Sequence, residues 1–292
     1  MLNTEVVLNW KFEDIVQPYS ERDTILYALG LGFGRDPTKR DELPYVYEKG
    51  LMAFPTLSLV LGAPPYWYSD PRTGIDWVRV LQGEQGLKLF RPLPAKGVVI
   101  GRNRVSDVID KGPGKGALII MERDIIDQAS GELIATRTSS SFARNDGGCG
   151  GTGHPAPKPH PIPEAAPQQV VQIDTVPGQA LLYRLSGDWN PVHADPDVAA
   201  KAGFERPILH GLCTFGICAR GLIAGLCAGD ASRLKSIEGR FSSHVYPGDS
   251  LHVEMWNMSN ISNDGGVVSF RARVPARNAV VFNNGRAEIS GG

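Results

Sequence analysis

The stretch Tyr183-Arg184-Leu185-Ser186-Gly187-Asp188-Trp189-Asn190-Pro191-Val192-His193 gathers polar side chains between apolar runs. A carboxylate and an imidazole five residues apart on a turn can both reach one water molecule, the first accepting its proton and the second titrating near neutral pH. That pairing suits the addition of water or its removal. Gly187 and the Asn190-Pro191 pair favour a turn, so Asp188 and His193 are expected on a loop that folds back over a rigid scaffold. The run continues through Gly203-Phe204 to Pro207-Ile208-Leu209-His210-Gly211, where Gly211 opens an apolar stretch read as a helix. Free N–H groups at a helix start can hold negative charge that develops on an oxygen.

Each of these residues also has a plain structural use. Asp188 and Asn190 are common turn residues, His193 could be a satisfied core histidine, and Gly211 could serve packing alone. His210, His244 and His252 lack His-x-x-x-His spacing, so no metal site is expected. His154 and His160 fall in a Pro-rich stretch and are expected in solvent.

The elements that must position the loop follow from pattern. Residues 211–228 carry Leu212, Phe215, Ala219, Leu222, Ile223 and Leu226 near helical spacing, which reads as a buried helix whose Gly216, Gly221 and Gly225 permit close packing. Residues 236–245, 250–262, 267–274 and 279–289 alternate or are β-branched and are split by Pro247-Gly248-Asp249 and Asn263-Asp264-Gly265-Gly266, so they read as antiparallel strands. Comparable strands are expected over 98–144. A buried helix followed by such strands is the pattern of a sheet wrapped round a helix. Between Arg144 and Gln169 lie a glycine cluster and then Pro155, Pro157, Pro159, Pro161, Pro163 and Pro167, which break helix and strand alike. The chain therefore divides into 1–146, a linker at 147–170, and 171–292. Asp23-Thr24-Ile25-Leu26-Tyr27-Ala28-Leu29-Gly30 lies on Gln179-Ala180-Leu181-Leu182-Tyr183-Arg184-Leu185-Ser186 at a constant offset, as a duplication would leave it. Gly32 then falls opposite Asp188, and the first half has no histidine, so acid–base chemistry belongs to the second half.

Composition excludes some classes. With 292 residues and 42% hydrophobic content the chain can bury a sizeable core. Thirty basic against 31 acidic side chains give no nucleic-acid footprint, and no apolar run approaches membrane-spanning length. Four cysteines, three of them in one apolar stretch, fit a reducing compartment. The end Ile289-Ser290-Gly291-Gly292 is no peroxisomal tripeptide, so the expected setting is cytoplasmic.

The segment from Tyr183 to His193 and its companion Pro207-Ile208-Leu209-His210-Gly211 resemble the signature of the hydratase 2 family, the MaoC-like (R)-specific enoyl-CoA hydratases. Leu81-Gln82-Gly83-Glu84-Gln85, Arg91-Pro92-Leu93-Pro94, Asp110-Lys111-Gly112 and Tyr246-Pro247-Gly248 resemble further elements of its two-halved members. The resemblance implies an α+β double hot-dog, two long helices each wrapped by an antiparallel sheet, with a degenerate first half that shapes the acyl site, its stretch 51–61 making room for the acyl chain. It implies Asp188 and His193 as the catalytic pair, Asn190 as a residue orienting them, and the Gly211 amide as the thioester oxyanion donor. Gln82, Gly83, Lys111, Trp189 and Phe241 become substrate-contacting positions, with Lys111 suited to the phosphates of CoA. Gln82-Gly83 departs from the His-Gly of many relatives, which keeps hydrogen bonding but loses titration. The activity implied is syn addition of water to a trans-2-enoyl-CoA giving a (3R)-3-hydroxyacyl-CoA, or its reverse. No cofactor is implied beyond the CoA thioester substrate, and a stand-alone homodimer is expected. The same residues would serve a dehydratase acting on carrier-protein thioesters. A non-catalytic acyl-CoA-binding protein would need no water-activating pair.

Overall fold

The computed structural model describes residues 1–256 and 265–291. Ten strands form one continuous antiparallel sheet: β1 Ile15–Tyr19, β2 Val80–Leu89, β3 Gly97–Asp110, β4 Ala117–Asp127, β5 Leu133–Ala143, β6 Gln169–Asp174, β7 Leu234–Phe241, β8 Ser250–Trp256, β9 Gly266–Val274 and β10 Ala279–Ile289. Their order is β1-β3-β4-β5-β2-β7-β10-β9-β8-β6. Counting outward from the centre, the two halves repeat one order, each with its second strand innermost and its first at the edge. This is the topological mark of the duplication read from the sequence. The halves join where β2 pairs with β7, from Glu84 opposite Arg240 to Lys88 opposite Ser236. The expected strand over 250–262 is formed as far as Trp256, and the rest of it, with Asn263 and Asp264, lies outside the described residues.

Helices are α1 Thr4–Leu8, α2 Glu21–Gly30, α3 Leu43–Val46, α4 Gln179–Tyr183, α5 Pro196–Lys201 and α6 Gly211–Leu226. The buried helix of the second half is α6. Its glycines let it approach the sheet: a Cβ on Gly221 would sit 2.7 Å from Val253 Cγ2 on β8. Tyr27 of α2 and Tyr183 of α4, equivalent in the repeat, stand with rings 5.7 Å apart.

Of the two long helices expected, the described residues form one. In the first half its place is taken by residues 51–61, which are bounded by Gly50 and Gly62, both at positive φ, and make only the 3-10 turn Pro55–Leu59. Eleven residues with an internal proline leave no room for a long helix. The segment is packed, with Phe54, Leu57, Leu59 and Leu61 buried, and it fills the inner face of the first half.

Residues 144–168 contain neither helix nor strand and are tied down as a strap. Gly148 and Gly150 donate backbone N–H groups to Asp110, 2.8 Å each. Trp256 Nε1 donates to Ala165 O at 2.7 Å, and His160 Nε2 lies 2.8 Å from Ser269 Oγ. His160 is thus partly buried and bonded, contrary to its expected solvation, because the prolines hold the strap against the sheet. His154 is exposed as expected and contacts Asp107.

Because Val253 is fully buried and β-branched, Gly221→Val should push α6 off β8 and lower the unfolding free energy by about 1–3 kcal/mol. Urea denaturation checks this: a reduced midpoint at unchanged m-value is expected, and an unchanged midpoint counts against tight α6 packing.

Candidate active site

Asp188 and His193 sit on the loop between α4 and α5. Gly187, at φ 119, turns the chain away from α4, and the 3-10 turn Pro191–His193 carries the imidazole inward. Asn190 caps that turn, its Oδ1 accepting from Val192 N at 3.1 Å, while its own N–H donates to Asp188 Oδ1 at 3.2 Å. Asn190 therefore orients the pair through the backbone, and its exposed side chain caps the turn.

His193 is buried, and its Nδ1 lies 2.8 Å from Ile208 O, so Nδ1 carries the proton and Nε2 is left to accept. Burial pushes the imidazole below its ordinary value, opposed by this bond and by the Asp188 charge. A donor or acceptor atom of Asp188 and one of His193 lie within 4.8 Å of each other, a span that one water can bridge with hydrogen bonds of about 2.8 Å.

His210 joins them, which sequence spacing did not show. Its ring stacks on His193 at 3.7 Å between centroids and on Tyr183 at 5.1 Å, and its Nε2 lies 3.2 Å from Asp188 O. Burial, then the neighbouring His193, holds its pKa well down, and its Nδ1 is buried without a hydrogen-bond partner. The signal available was position: His210 is the residue immediately before α6. Asp188, His193 and His210 thus offer three potential metal ligands in one place. The arrangement has the two rings nearly parallel, 29° between planes, with Nδ1 of His193 and Nε2 of His210 each engaged by a main-chain carbonyl. It suits a water-holding pair buttressed by a neutral ring better than a metal centre.

Gly211 begins α6, whose first turn has no side-chain cap. Its amide is therefore available to an acceptor. A Cβ here would lie 3.2 Å from Gln82 Oε1 and 3.3 Å from the Phe241 ring, so the fold brings Gln82, from the first half, and Phe241 onto Gly211. Gly83 occupies a β-bulge against Ser140, which turns the strand beside Gln82. Gln82 Nε2 donates to Gln85 Oε1 at 3.2 Å, a residue that sequence reasoning did not single out. Lys111 is exposed with Nζ 5.0 Å above Phe142, which pairs with Leu81 and by strand alternation faces the side of the sheet opposite Gln82 and Ser141, so the fold does not bring Lys111 beside Gln82. Trp189 is 58% exposed beneath the Arg184 guanidinium and flanks the loop.

A cavity of about 240 Å³ lies elsewhere, between strap residues such as Lys158 and His160 and the outer face of the sheet at Glu84, Glu238 and Arg240. Those strand residues alternate with Gln85 and Ile237, which are buried on the inner face, so the sheet separates this cavity from the loop. It holds none of Asp188, His193 and His210.

The chain is similar to known proteins in sequence and in fold. Residues 159–279 match the MaoC like domain and residues 18–145 the MFE-2 hydratase 2 N-terminal domain. The chain is 36% identical over 296 residues to the peroxisomal enoyl-CoA hydratase 2 of Arabidopsis thaliana, covering 96% of this chain and 93% of the relative. The crystal structure of a MaoC-like dehydratase from Phytophthora capsici superposes with a TM-score of 0.85 at 33% identity, covering all of both chains. A Mycobacterium tuberculosis protein described as having a double hotdog fold gives a TM-score of 0.56 at 16% identity over 97% of this chain and 98% of its own, a likeness of fold alone.

Both stacked imidazoles titrate below 6.5 in the fold, so below that pH the unfolded chain binds more protons than the folded one. Stability is then fully present above the unfolded value and falls as pH drops below it. Unfolding curves between about pH 7.5 and about pH 5 should show this decline, and His210→Asn should flatten it; an equal slope in the variant would remove His210 from the cause.

Proposed function

The chain belongs to the MaoC-like hydratase 2 family of enoyl-CoA hydro-lyases, and from that premise we propose that it adds water to trans-2-enoyl-CoA esters, or removes it from (3R)-3-hydroxyacyl-CoA. The observation that carries the reading is the clustering of Asp188 and His193 with His210, the residue that immediately precedes the uncapped Gly211 amide. Binding alone would need no such pair.

In this reading the thioester carbonyl lies on the Gly211 N–H, which meets the enolate charge as it builds up during attack at C3. Asp188 and the neutral Nε2 of His193 hold one water on one face of the double bond. Its oxygen bonds to C3 while its proton passes through the pair to C2, so both arrive from the same side. A depressed His193 pKa suits this, because an imidazole that is already protonated cannot accept from water. Gln82 and Phe241 close the site over Gly211, and the exposed Lys111 is taken as the partner of the CoA phosphates on its charge alone.

Asp188 and His193 would serve dehydration equally by microscopic reversibility, so a dehydratase acting on carrier-protein thioesters is the second reading. The cysteines are all free, and no helix among the described residues is long and apolar enough to cross a membrane. Free cysteines fit a reducing compartment, which we take as the cytoplasm. The expected homodimer is also part of the proposal, to be read from the mass in solution.

The decisive assay follows absorbance loss of the conjugated thioester with crotonyl-CoA and longer esters, coupled to an (R)-specific dehydrogenase. Wild type should turn over with (R)-product, and Asp188→Asn should lower kcat by about a hundredfold to ten-thousandfold with little change in melting temperature. Undiminished turnover in the variant would end the catalytic assignment of Asp188. Turnover of carrier-protein esters alone would favour the second reading.

A further inference from the structure

Arg137 projects from β5 onto the inner face of the sheet, because it stands opposite Leu87 of β2, whose side chain is buried in the core. Its Nε donates to Gln85 Oε1 at 3.2 Å, and this is its one side-chain hydrogen bond among the described residues. Protein encloses the guanidinium closely enough that burial pulls its pKa down, and the groups that pull it back are the phenols of Tyr68 and Tyr183, with no carboxylate among them. Part of the residue's surface nevertheless remains accessible. Two terminal nitrogens are thus left facing space with no acceptor.

Directly across the β4–β5 ladder stands Arg123, a second buried guanidinium. It is satisfied by neutral acceptors: Leu59 O at 3.1 Å, Leu61 O at 2.9 Å and Asn103 Oδ1 at 2.9 Å. Like charges opposite one another in a sheet cost stability, and neither arginine forms an ion pair among the described residues. Arg123 has a structural purpose, since it clips residues 59–61 to the sheet. Arg137 has none of that kind.

Its position supplies the purpose. Gln85 Oε1, which accepts from Arg137 Nε, also accepts from Gln82 Nε2 at 3.2 Å, and Gln82 Oε1 rests against Gly211. Tyr183, its other neighbour, packs on His210. Along the inner face of β2 and β5 the groups run from Gln82 beside Gly211 to Gln85 and Arg137 further in. With the carbonyl on Gly211 and CoA leaving past the Gln82 end of the ladder, the acyl chain is the part of the substrate that passes Arg137.

Resting on the hydratase reading above, we infer that Arg137 binds a carboxylate at the far end of the acyl chain, so that the preferred substrate is a short 2-enoyl thioester with an anionic tail. The two free terminal nitrogens form the planar fork that takes a carboxylate in two parallel bonds. A wholly apolar tail would pass the same guanidinium and leave it unpaired. The filled inner face of the first half agrees with a short chain, since Phe54, Leu57 and Leu59 occupy the place that a long one would need.

The test compares glutaconyl-CoA, which ends in a carboxylate, with 2-pentenoyl-CoA of equal length. Wild type should show a kcat/KM about tenfold to a hundredfold higher for glutaconyl-CoA, and Arg137→Met should abolish that preference, the glutaconyl-CoA value falling about tenfold or more further than the 2-pentenoyl-CoA value. Equal rates on the two esters in wild type, or an equal loss on both in the variant, would overturn the inference. The wild-type comparison needs no folded variant. Should neither these esters nor crotonyl-CoA be turned over, the hydratase reading falls and calorimetry on wild type decides the arginine alone. Tighter binding of glutaryl-CoA than of pentanoyl-CoA by about tenfold sustains the anion site, and equal affinity removes it.

Discussion

The active arrangement depends on one ladder, the pairing of β2 with β7 from Glu84–Arg240 to Lys88–Ser236. It makes one sheet of two, so the inner faces of both halves open onto a shared space. Gln82 can reach Gly211 only because of it, since the two residues belong to different halves. An ion pair between Arg240 and Glu84 crosses the same seam on the outer face. Arg220 of α6 adds a second tie, with one nitrogen on Leu31 O and another on Glu42 Oε1 at 2.6 Å. This second tie is largely buried and satisfied at both ends, which is the condition under which an internal ion pair does not destabilise.

Within that frame the loop is held by hydrogen bonds to the main chain. His193 is fixed by Ile208 O, Ile208 N bonds back to Val192 O at 3.3 Å, and Leu209 N reaches Val245 O at 2.7 Å. The segment leading to Gly211 is thereby stitched to both the turn that carries His193 and the connection between β7 and β8. The imidazole, the carboxylate and the start of α6 are consequently referenced to one another within a few bonds. Chemistry that relies on a single ordered water needs this, because small displacements of the holding groups cost rate steeply.

Much of this was legible in the sequence, and for physical reasons. The run from Tyr183 to His193 is locally encoded, since glycine at positive φ and a capped Asn-Pro turn act within a few residues. Helix α6 and β10 followed from periodicity that matches their burial, as did the three late strands of the first half. What the sequence hid is what arises only in three dimensions. His210 lies seventeen positions beyond His193, yet the chain doubles back to stack the rings. The helix expected in the first half is missing because Gly50, Pro55 and Gly62 interrupt the apolar run, and apolar content alone does not reveal that. His160 sits on a proline-rich segment whose composition says solvent, while its partner Ser269 is brought to it by the sheet. Arg137 looked like one polar residue in a run of threonines and serines, and only register shows which face it takes.

In a symmetric pair of single hot-dog chains every substitution is expressed twice, once in each copy, so a change that helps one site is imposed on the other. Here the repeat is written into one chain, with the strand order preserved in both halves and their contents free to differ. The first half could exchange a long helix for a short turn clipped by Arg123 without removing the helix that carries Gly211. Covalent fusion thus turned a problem in symmetric design into an asymmetric one. Heredity can now revise the two halves of the chain as separate texts.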